Sequence, residues 1–370
     1  MKRIYLDAVS TTAPDAEVLA TYQKLLQQHY ANSDALYDEG VALFRLQEES
    51  RRQIGKLLSV YPEEVIFTSG ASEANNTAIK GVAWAHPERK HLITSIYEHS
   101  SVYGAMQQLQ RLGWEVTYLY PNAQGQITPN AVKAALREDT ALVSIMAVNN
   151  ELGSINDVDA IQEVVKKESN AYFHCDMTQA IAKIFLPVNH FDLASFSAHK
   201  IHGLKGSGVL IKKKHVRLEA LINGGQQEFS LRGGTSNAAS NIVLAKTLRL
   251  ALQRQEKENS HTAHLADYCR SLLQEIPGVS INSPAAGISN LLNITTPIKS
   301  EVLLNAMNQK GIMISSRSTC GSRKNEPSRV LHSMGFDEER AIRISFDMAT
   351  SEADIAYFAE VLKESIEKYG

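Results

Sequence analysis

The chain has 370 residues, 44% of them hydrophobic and 21% charged, with a net charge of −2. That is ordinary globular composition, long enough for about two domains, and the near-neutral balance gives no basic footprint for direct nucleic-acid binding. No apolar run approaches the roughly 18–20 residues of a membrane span, the start MKRIYLDAVS turns polar too soon for a signal peptide, and three sparse cysteines, Cys175, Cys269 and Cys320, fit free thiols in a reducing, cytoplasmic setting rather than a disulfide framework.

In chain order, YLDAVSTTAP reads as a strand followed by turn residues, expected to pack back beside the functional site. Strands are predicted at 64–69, 91–95, 114–120, 141–148, 171–177, 193–197 and 207–213. Helical segments lie between several of them: ASEANNTAIKGVAWA, HSSVYGAMQQLQRLG, NAVKAALRED and VDAIQEVVKKES. Strands alternating with helices imply βαβ units and a mostly parallel sheet. Near-continuous apolar strands such as ALVSIMAV suit a sheet covered on both faces. One long helical stretch follows from about 237 to 272, and then a mixed series: GVSINSP, ISNLLNITTP, a helix at 299–310, a loop bearing Cys320, the strand AIRISFDM and a final helix from 351. The order predicts an α/β fold with a seven-stranded sheet in a large domain, 15–255, and a smaller α+β domain formed by 1–14 and 256–370.

Ligands of open α/β sheets sit beyond the carboxyl ends of the strands. The polar sets there are TSGASEANN, YEHSS, VNNELG, DMTQ and SAHK, each after an apolar run. SGAS, at 69–72, is a small-residue strand-to-helix turn able to cradle a phosphate, although such turns also serve as plain caps. Asp176 ends an apolar strand and suits either a structural ion pair or a carboxylate facing a cationic ring nitrogen; Gln179 follows three residues later, in reach of a neighbouring ring substituent. Lys200 is either a solvated strand-edge lysine or an imine-forming amine in a desolvated pocket. Phosphate turn, carboxylate and lysine together are the parts that hold pyridoxal 5'-phosphate. Cys175, in an apolar strand, and Cys269, in a helix, read as small core residues. No zinc-type ligand spacing is present.

In this order the motifs YLDAVSTT, SGASEANN, YEHSS, VNNELG, DMTQ, SFSAHK, GGQQEFSLRGGTSN and STCGSRKNEPSRVL resemble the class V aminotransferase group, and more closely cysteine desulfurases of the NifS/IscS type, over nearly the whole chain. The resemblance implies a fold-type I pyridoxal-phosphate transferase acting on L-cysteine. Lys200 would carry the cofactor, Asp176 would pair with the pyridinium nitrogen, Gln179 would contact the ring hydroxyl and His99 would stack on the ring. Ala71, Ser72, Ser197 and His199 would bind the phosphate, and Thr235 would reach it from the second subunit of a homodimer. Asn150 and Arg343 would grip the substrate carboxylate. Cys320 would accept the sulfur as a persulfide, and Arg317, Arg323 and Lys324, close in sequence, would favour its thiolate.

The chain departs from the family pattern in three places. S-R-S-T-C puts Arg317 and Thr319 where Gly and Ala are usual; ANSDALYDEG lacks the usual Pro and His; AVSTT replaces A-A-T-T. The EPSRVL segment resembles members with a long catalytic loop, whose partner would be a sulfur-acceptor protein: an iron–sulfur scaffold or a tRNA-thiolation enzyme. Its proline is expected in the first turn of a helix. Another enzyme of the same fold, such as a selenocysteine lyase or aminotransferase, or an inactive sulfur-relay protein, are the competing readings.

Overall fold

The computed structural model describes residues 3–316 and 327–370. In chain order the strands and helices are β1 (Ile4–Tyr5), α1 (Ala16–Gln28), α2 (Asp38–Leu58), β2 (Val65–Thr68), α3 (Ala71–Ala85), β3 (His91–Ser95), α4 (Ser100–Arg111), β4 (Glu115–Leu119), α5 (Pro129–Ala135), β5 (Thr140–Ser144) and α6 (Val158–Glu168). Then come β6 (Tyr172–Asp176), β7 (Leu193–Ser197), β8 (Gly208–Lys212), α7 (Ala238–Gln274), β9 (Ser280–Ile281), β10 (Leu291–Thr295), α8 (Ser300–Gln309), β11 (Ile312–Met313), α9 (Arg329–Ser333), β12 (Ala341–Ser345) and α10 (Glu352–Tyr369).

The seven predicted strands form one sheet in the order β2-β8-β7-β6-β5-β3-β4. All neighbours from β7 to β4 pair in parallel, while β8 runs antiparallel to both β7 and β2. Alternation along each strand divides the side chains between two cores. Phe173, Cys175, Ala194, Phe196, Val143 and Ile93 enter one; Leu142, Leu193, Leu210, Leu92 and Ile66 meet α3 and α4 in the other. Both faces are covered, which is why these strands read as near-continuous apolar runs.

Local chemistry sets the helix starts. Thr128 accepts from Ala131 N at 3.2 Å with Pro129 in the first turn of α5. Asp157 accepts from Ala160 N at 3.1 Å, and Ser351 and Asp354 form a reciprocal capping box on α10. Helix α9 begins at Arg329 with Ser328 as its cap, so Pro327 lies just before the cap and not inside the first turn as expected. The short helix leaves Ser328 to cap it: the serine hydroxyl accepts from Leu331 N at 3.2 Å, a bond proline cannot supply.

Helix α7 has 37 residues, about 55 Å at 1.5 Å per residue. Its first half packs Leu244, Leu248 and Ala251 into the large-sheet core and Val243 against Val18 and Leu25 of α1, and its second half packs Leu265, Ala266, Cys269 and Leu273 into a separate core with Leu292, Ile294, Ile342, Ile344, Phe358 and Leu362. That second core rests on the antiparallel sheet β12-β10-β9. Strand β1 pairs in parallel with β11, bringing the chain start alongside this sheet; the following bridge from Asp7 to Ser345 carries it on to the site. Among the described residues no helix is long and apolar enough to cross a membrane.

Candidate active site

A cavity of about 410 Å³ opens where the large sheet, the chain start and β12 meet. It is lined by Ala71, Ser72, His99, Asn150, Asp176, Gln179, Ser197, His199, Lys200 and Arg343, ten residues predicted from sequence. Tyr5, Asp7, Val9, Ser10, Thr11, Met146, Thr178 and Lys205 complete the wall. Thr235 lies elsewhere: it is exposed, between Gly234 and Ser236 of a neighbouring cavity. Cys320, Arg317, Arg323 and Lys324 lie outside the described residues. The segments flanking them are tied to the site: Ser315 N donates to Arg343 O at 3.1 Å, and Ser328 Oγ donates to Glu151 Oε2 at 2.6 Å.

Lys200 ends the turn after β7, and its Nζ donates to the carbonyl oxygens of Val9 and Ser10, 2.7 Å each. Gln179 Nε2 donates to the same Val9 carbonyl at 3.1 Å. The chain start is thereby sewn into the site. Asp176, buried at the end of β6, accepts from Thr178 N at 3.0 Å and from Asn75 Nδ2 at 2.7 Å. His99 caps α4: its Nδ1 accepts from Ser101 N at 3.2 Å, so the neutral ring carries its proton on Nε2. Burial pushes its pKa down. His199 accepts or donates at Nδ1 with Thr11 Oγ1 at 3.1 Å, and burial, aided by the Lys200 charge, lowers it to about 4.

The glycine turn is shaped for close approach. Gly70 has φ +147°, a region closed to other residues, and caps α3. Ser197 Oγ accepts from Ala71 N at 2.7 Å. The remaining first-turn N–H groups of the 15-residue α3 lack intrahelical partners by geometry and carry the positive end of the dipole. Arg343, on β12 and 2% exposed, donates from Nη1 to Asn150 O at 2.7 Å, and from Nη2 to Ser10 Oγ at 2.6 Å and Asp7 Oδ1 at 3.1 Å. Among the described residues its buried Nε has no partner. A buried guanidinium with an unused donor beside a cavity suits an anionic group there.

Sequence reasoning missed Asn75, which joins Asp176 to Ser101, and Met146. The signal for Asn75 was present in SGASEANN, since position 75 is one turn beyond Ala71 on the same helix face.

These residues fit pyridoxal phosphate: an amine, a buried carboxylate and a helix-terminus anion cradle share one cavity with a guanidinium. The comparisons agree. Residues 4–358 match the class-V aminotransferase family. The chain is 37% identical to the cysteine desulfurase IscS of Dictyoglomus turgidum, over 100% of this chain and 96% of that protein. Among solved structures, a NifS-like protein superposes with TM-score 0.92 at 33% identity, covering 99% of this chain and 100% of that one. SspA in complex with cysteine superposes with TM-score 0.82 at 32% identity, covering 93% and 99%. The chain therefore belongs to the class-V aminotransferase family, in its pyridoxal-phosphate-dependent branch of NifS/IscS-type cysteine desulfurases.

Proposed function

We propose that this chain takes sulfur from L-cysteine, releases L-alanine, and holds the sulfur as a persulfide on Cys320 for transfer to an acceptor protein. The observation that carries the reading is the convergence of Lys200, Asp176 and Arg343 on one cavity, in a chain whose relatives are cysteine desulfurases.

Pyridoxal phosphate, when bound, supplies an electron sink for the carbanion at the substrate Cα. The protein's own groups do the rest. Ala71, Ser72, Ser197 and His199 would hold the phosphate, and Thr235, exposed, would reach the phosphate of a second copy. Asp176 would face the ring nitrogen, Gln179 the ring hydroxyl, and His99 the ring face. Arg343, with Asn150 beside it, would bind the substrate carboxylate through its free Nε and one Nη. Lys200 would take the proton from Cα and later return one. The Cys320 thiolate would attack the substrate sulfur: the S–S bond forms, the Cβ–S bond breaks, and the departing Cβ is protonated to give alanine, with no external oxidant or reductant.

A homodimer is supported by an apolar surface beside a groove lined by Leu36, Val41, Phe44 and Phe229; Leu36 is 94% exposed. The acceptor is an iron–sulfur scaffold or a tRNA-thiolation enzyme, and the setting is the cytoplasm.

The test is the absorption spectrum of the purified protein, followed by alanine and sulfide release from L-cysteine with a reductant. Wild type should be yellow and release the two in equal amounts. Cys320→Ser should stay yellow, change spectrum with L-cysteine and release no sulfide; Lys200→Ala should lose the visible band and turnover. A Cys320→Ser enzyme with wild-type sulfide release would overturn the reading.

A further inference from the structure

Four polar side chains lie buried beneath the cavity, on the large-sheet face that packs against α3: Ser144 on β5, His174 on β6, Ser195 on β7 and Asn75 on α3 itself, all 0% exposed. Strand periodicity puts them there. His174 and Asp176 are two residues apart and share a face; Ser144 is the register partner of His174, and Ser195 that of Asp176. Their polar atoms connect in series. Ser144 Oγ meets His174 Nδ1 at 2.8 Å, His174 Nε2 meets Ser195 Oγ at 3.2 Å, Ser195 Oγ bonds to Asn75 Oδ1, and Asn75 Nδ2 meets Asp176 Oδ2 at 2.7 Å.

Chemistry fixes the direction of every link. A carboxylate only accepts, so Asn75 must turn its amide N–H to Asp176 and its carbonyl to Ser195. Ser195 then spends its single proton on that carbonyl and must accept from His174 Nε2–H. His174 Nδ1 is left as an acceptor, and Ser144 donates to it. The second proton of Asn75 Nδ2 goes to Ser101 Oγ at 2.9 Å, and Ser101 passes its hydroxyl proton to His99 Nδ1 at 2.8 Å.

We propose that Ser144, His174, Ser195 and Asn75 form a one-way hydrogen-bond relay, branching at Asn75, that sets the carboxylate of Asp176 and the Nε2–H tautomer of His99 for the cofactor. The four are positioning residues; none of them lines the cavity. Each link from Ser144 through Asn75 donates toward Asp176, so these bonds polarise one another in the sense that favours the anion a cationic ring nitrogen needs. A neutral His174 is required, and burial holds its pKa down to about 4. The other titratable groups whose charges act on Asp176 are Glu98 in the turn after β3, His99 at the cap of α4 and Cys175, its strand neighbour on the opposite face, and the Lys200 charge acts on His99.

The inference rests on the cofactor reading for its purpose, but the relay itself can be read separately. Nitrogen-15 NMR of the histidine-labelled holoenzyme, with His174→Gln to assign the signal, should show His174 neutral with the proton on Nε2 from about pH 6 to 8, and neutral His99 in the same tautomer. An Nδ1–H tautomer or an imidazolium at His174 in that range would overturn the relay. In Ser195→Ala the chain is cut: the dissociation constant for pyridoxal phosphate should rise roughly ten-fold, the loss of one charge-linked hydrogen bond, and the visible band should shift. Thr262→Ala, a buried hydroxyl in the second core, should change neither. Ser195→Ala with wild-type cofactor affinity and spectrum would also overturn the proposal. A protein that never binds the cofactor would sink the functional reading and leave the tautomer result standing.

Discussion

Arg343 Nη2 lies 3.1 Å from Asp7 Oδ1, an ion pair between the first segment of the chain and its last strand. Both residues line the cavity, so one wall of it is held together by side chains 336 positions apart. Lysine at 343 keeps the charge but loses the planar fork and the unused Nε. Arg343→Lys should raise KM for L-cysteine about ten- to hundred-fold, the ~1.5–3 kcal/mol of a hydrogen bond to a charged group, with kcat changed much less. Initial rates of alanine release against L-cysteine concentration decide it; an unchanged KM would remove Arg343 from substrate binding.

Gly208, on β8, passes directly beneath the Gly70 turn that caps α3. A Cβ there would meet Gly70 Cα at 2.5 Å and Phe196 O at 2.6 Å, both backbone, so the turn itself would have to move. Gly208→Ala should cost about 1–3 kcal/mol of stability and weaken cofactor binding more than Gly104→Ala, where a Cβ meets nothing within 4 Å. Thermal unfolding of both variants, with and without pyridoxal phosphate, checks the pair; equal behaviour would remove the steric argument.

The large sheet was legible because its strands are apolar on both faces and separated by helices. Every predicted strand formed, with ends moved by a few residues: the run read as 141–148 is a strand only over Thr140–Ser144. Asp176, Gln179 and Lys200 were legible because strand ends are where α/β sheets bind ligands. Arg343 was not, since it comes from a different sheet and no local pattern joins it to the cavity; only the family resemblance singled it out. Helices α1 and α2 fall outside the elements read from sequence. Yet α2 buries Leu43, Gln47, Ser50, Arg51, Ile54 and Leu58 at helical spacing; three of those six are polar, which blurs an apolar stripe. Likewise Ser144, His174 and Ser195 were read through as parts of apolar strands. Their two-residue alternation is visible in sequence, but their bonds depend on which strands lie side by side and on Asn75 of α3, which no single strand pattern reveals.

Residues Glu228, Phe229 and Ser230 are consecutive non-glycine residues in the left-handed region, with φ of 49°, 58° and 64°, each costing about 1–2 kcal/mol. A buried ion pair holds them: Arg51 meets Glu228 at 2.8 and 3.0 Å, its Cζ sits 4.7 Å from the Phe67 ring centroid and 5.0 Å from that of Phe229, and Glu228 Oε2 also accepts from Phe67 N at 2.8 Å. Glu228→Ala removes both charged hydrogen bonds to the guanidinium and leaves Glu48, 2.9 Å from Arg51 Nε, as its remaining counter-ion; it should cost about 2–4 kcal/mol. Pairing it with Arg51→Met should recover part of that loss. Denaturant unfolding of the two singles and the double tests this, and strictly additive losses would show that the pair is not what holds the turn.

Glu98 stands beside His99 with no charge partner among the described residues. Its Oε1 accepts from Ser95 Oγ at 2.6 Å and Met146 N at 3.0 Å, while the buried Oε2 has no partner. Burial, reinforced by the Asp176 charge, pushes its pKa up to about 8. The unfolded chain releases this proton near about pH 4.3. Between those values the native state binds one proton more than the unfolded state, so stability falls as pH rises through that window and levels off above the native pKa. Glu98→Gln mimics the protonated form and removes the titration. Relative to wild type, the variant should therefore gain thermal stability steadily from about pH 5 to about pH 8, then by no more above it. The buried His174 and the half-buried His199, with pKa values pushed down to about 4, tilt stability the opposite way at low pH, but equally in both proteins, so the difference in Tm isolates residue 98. A difference that stays constant over that range would mean that Glu98 is ionised in the folded protein.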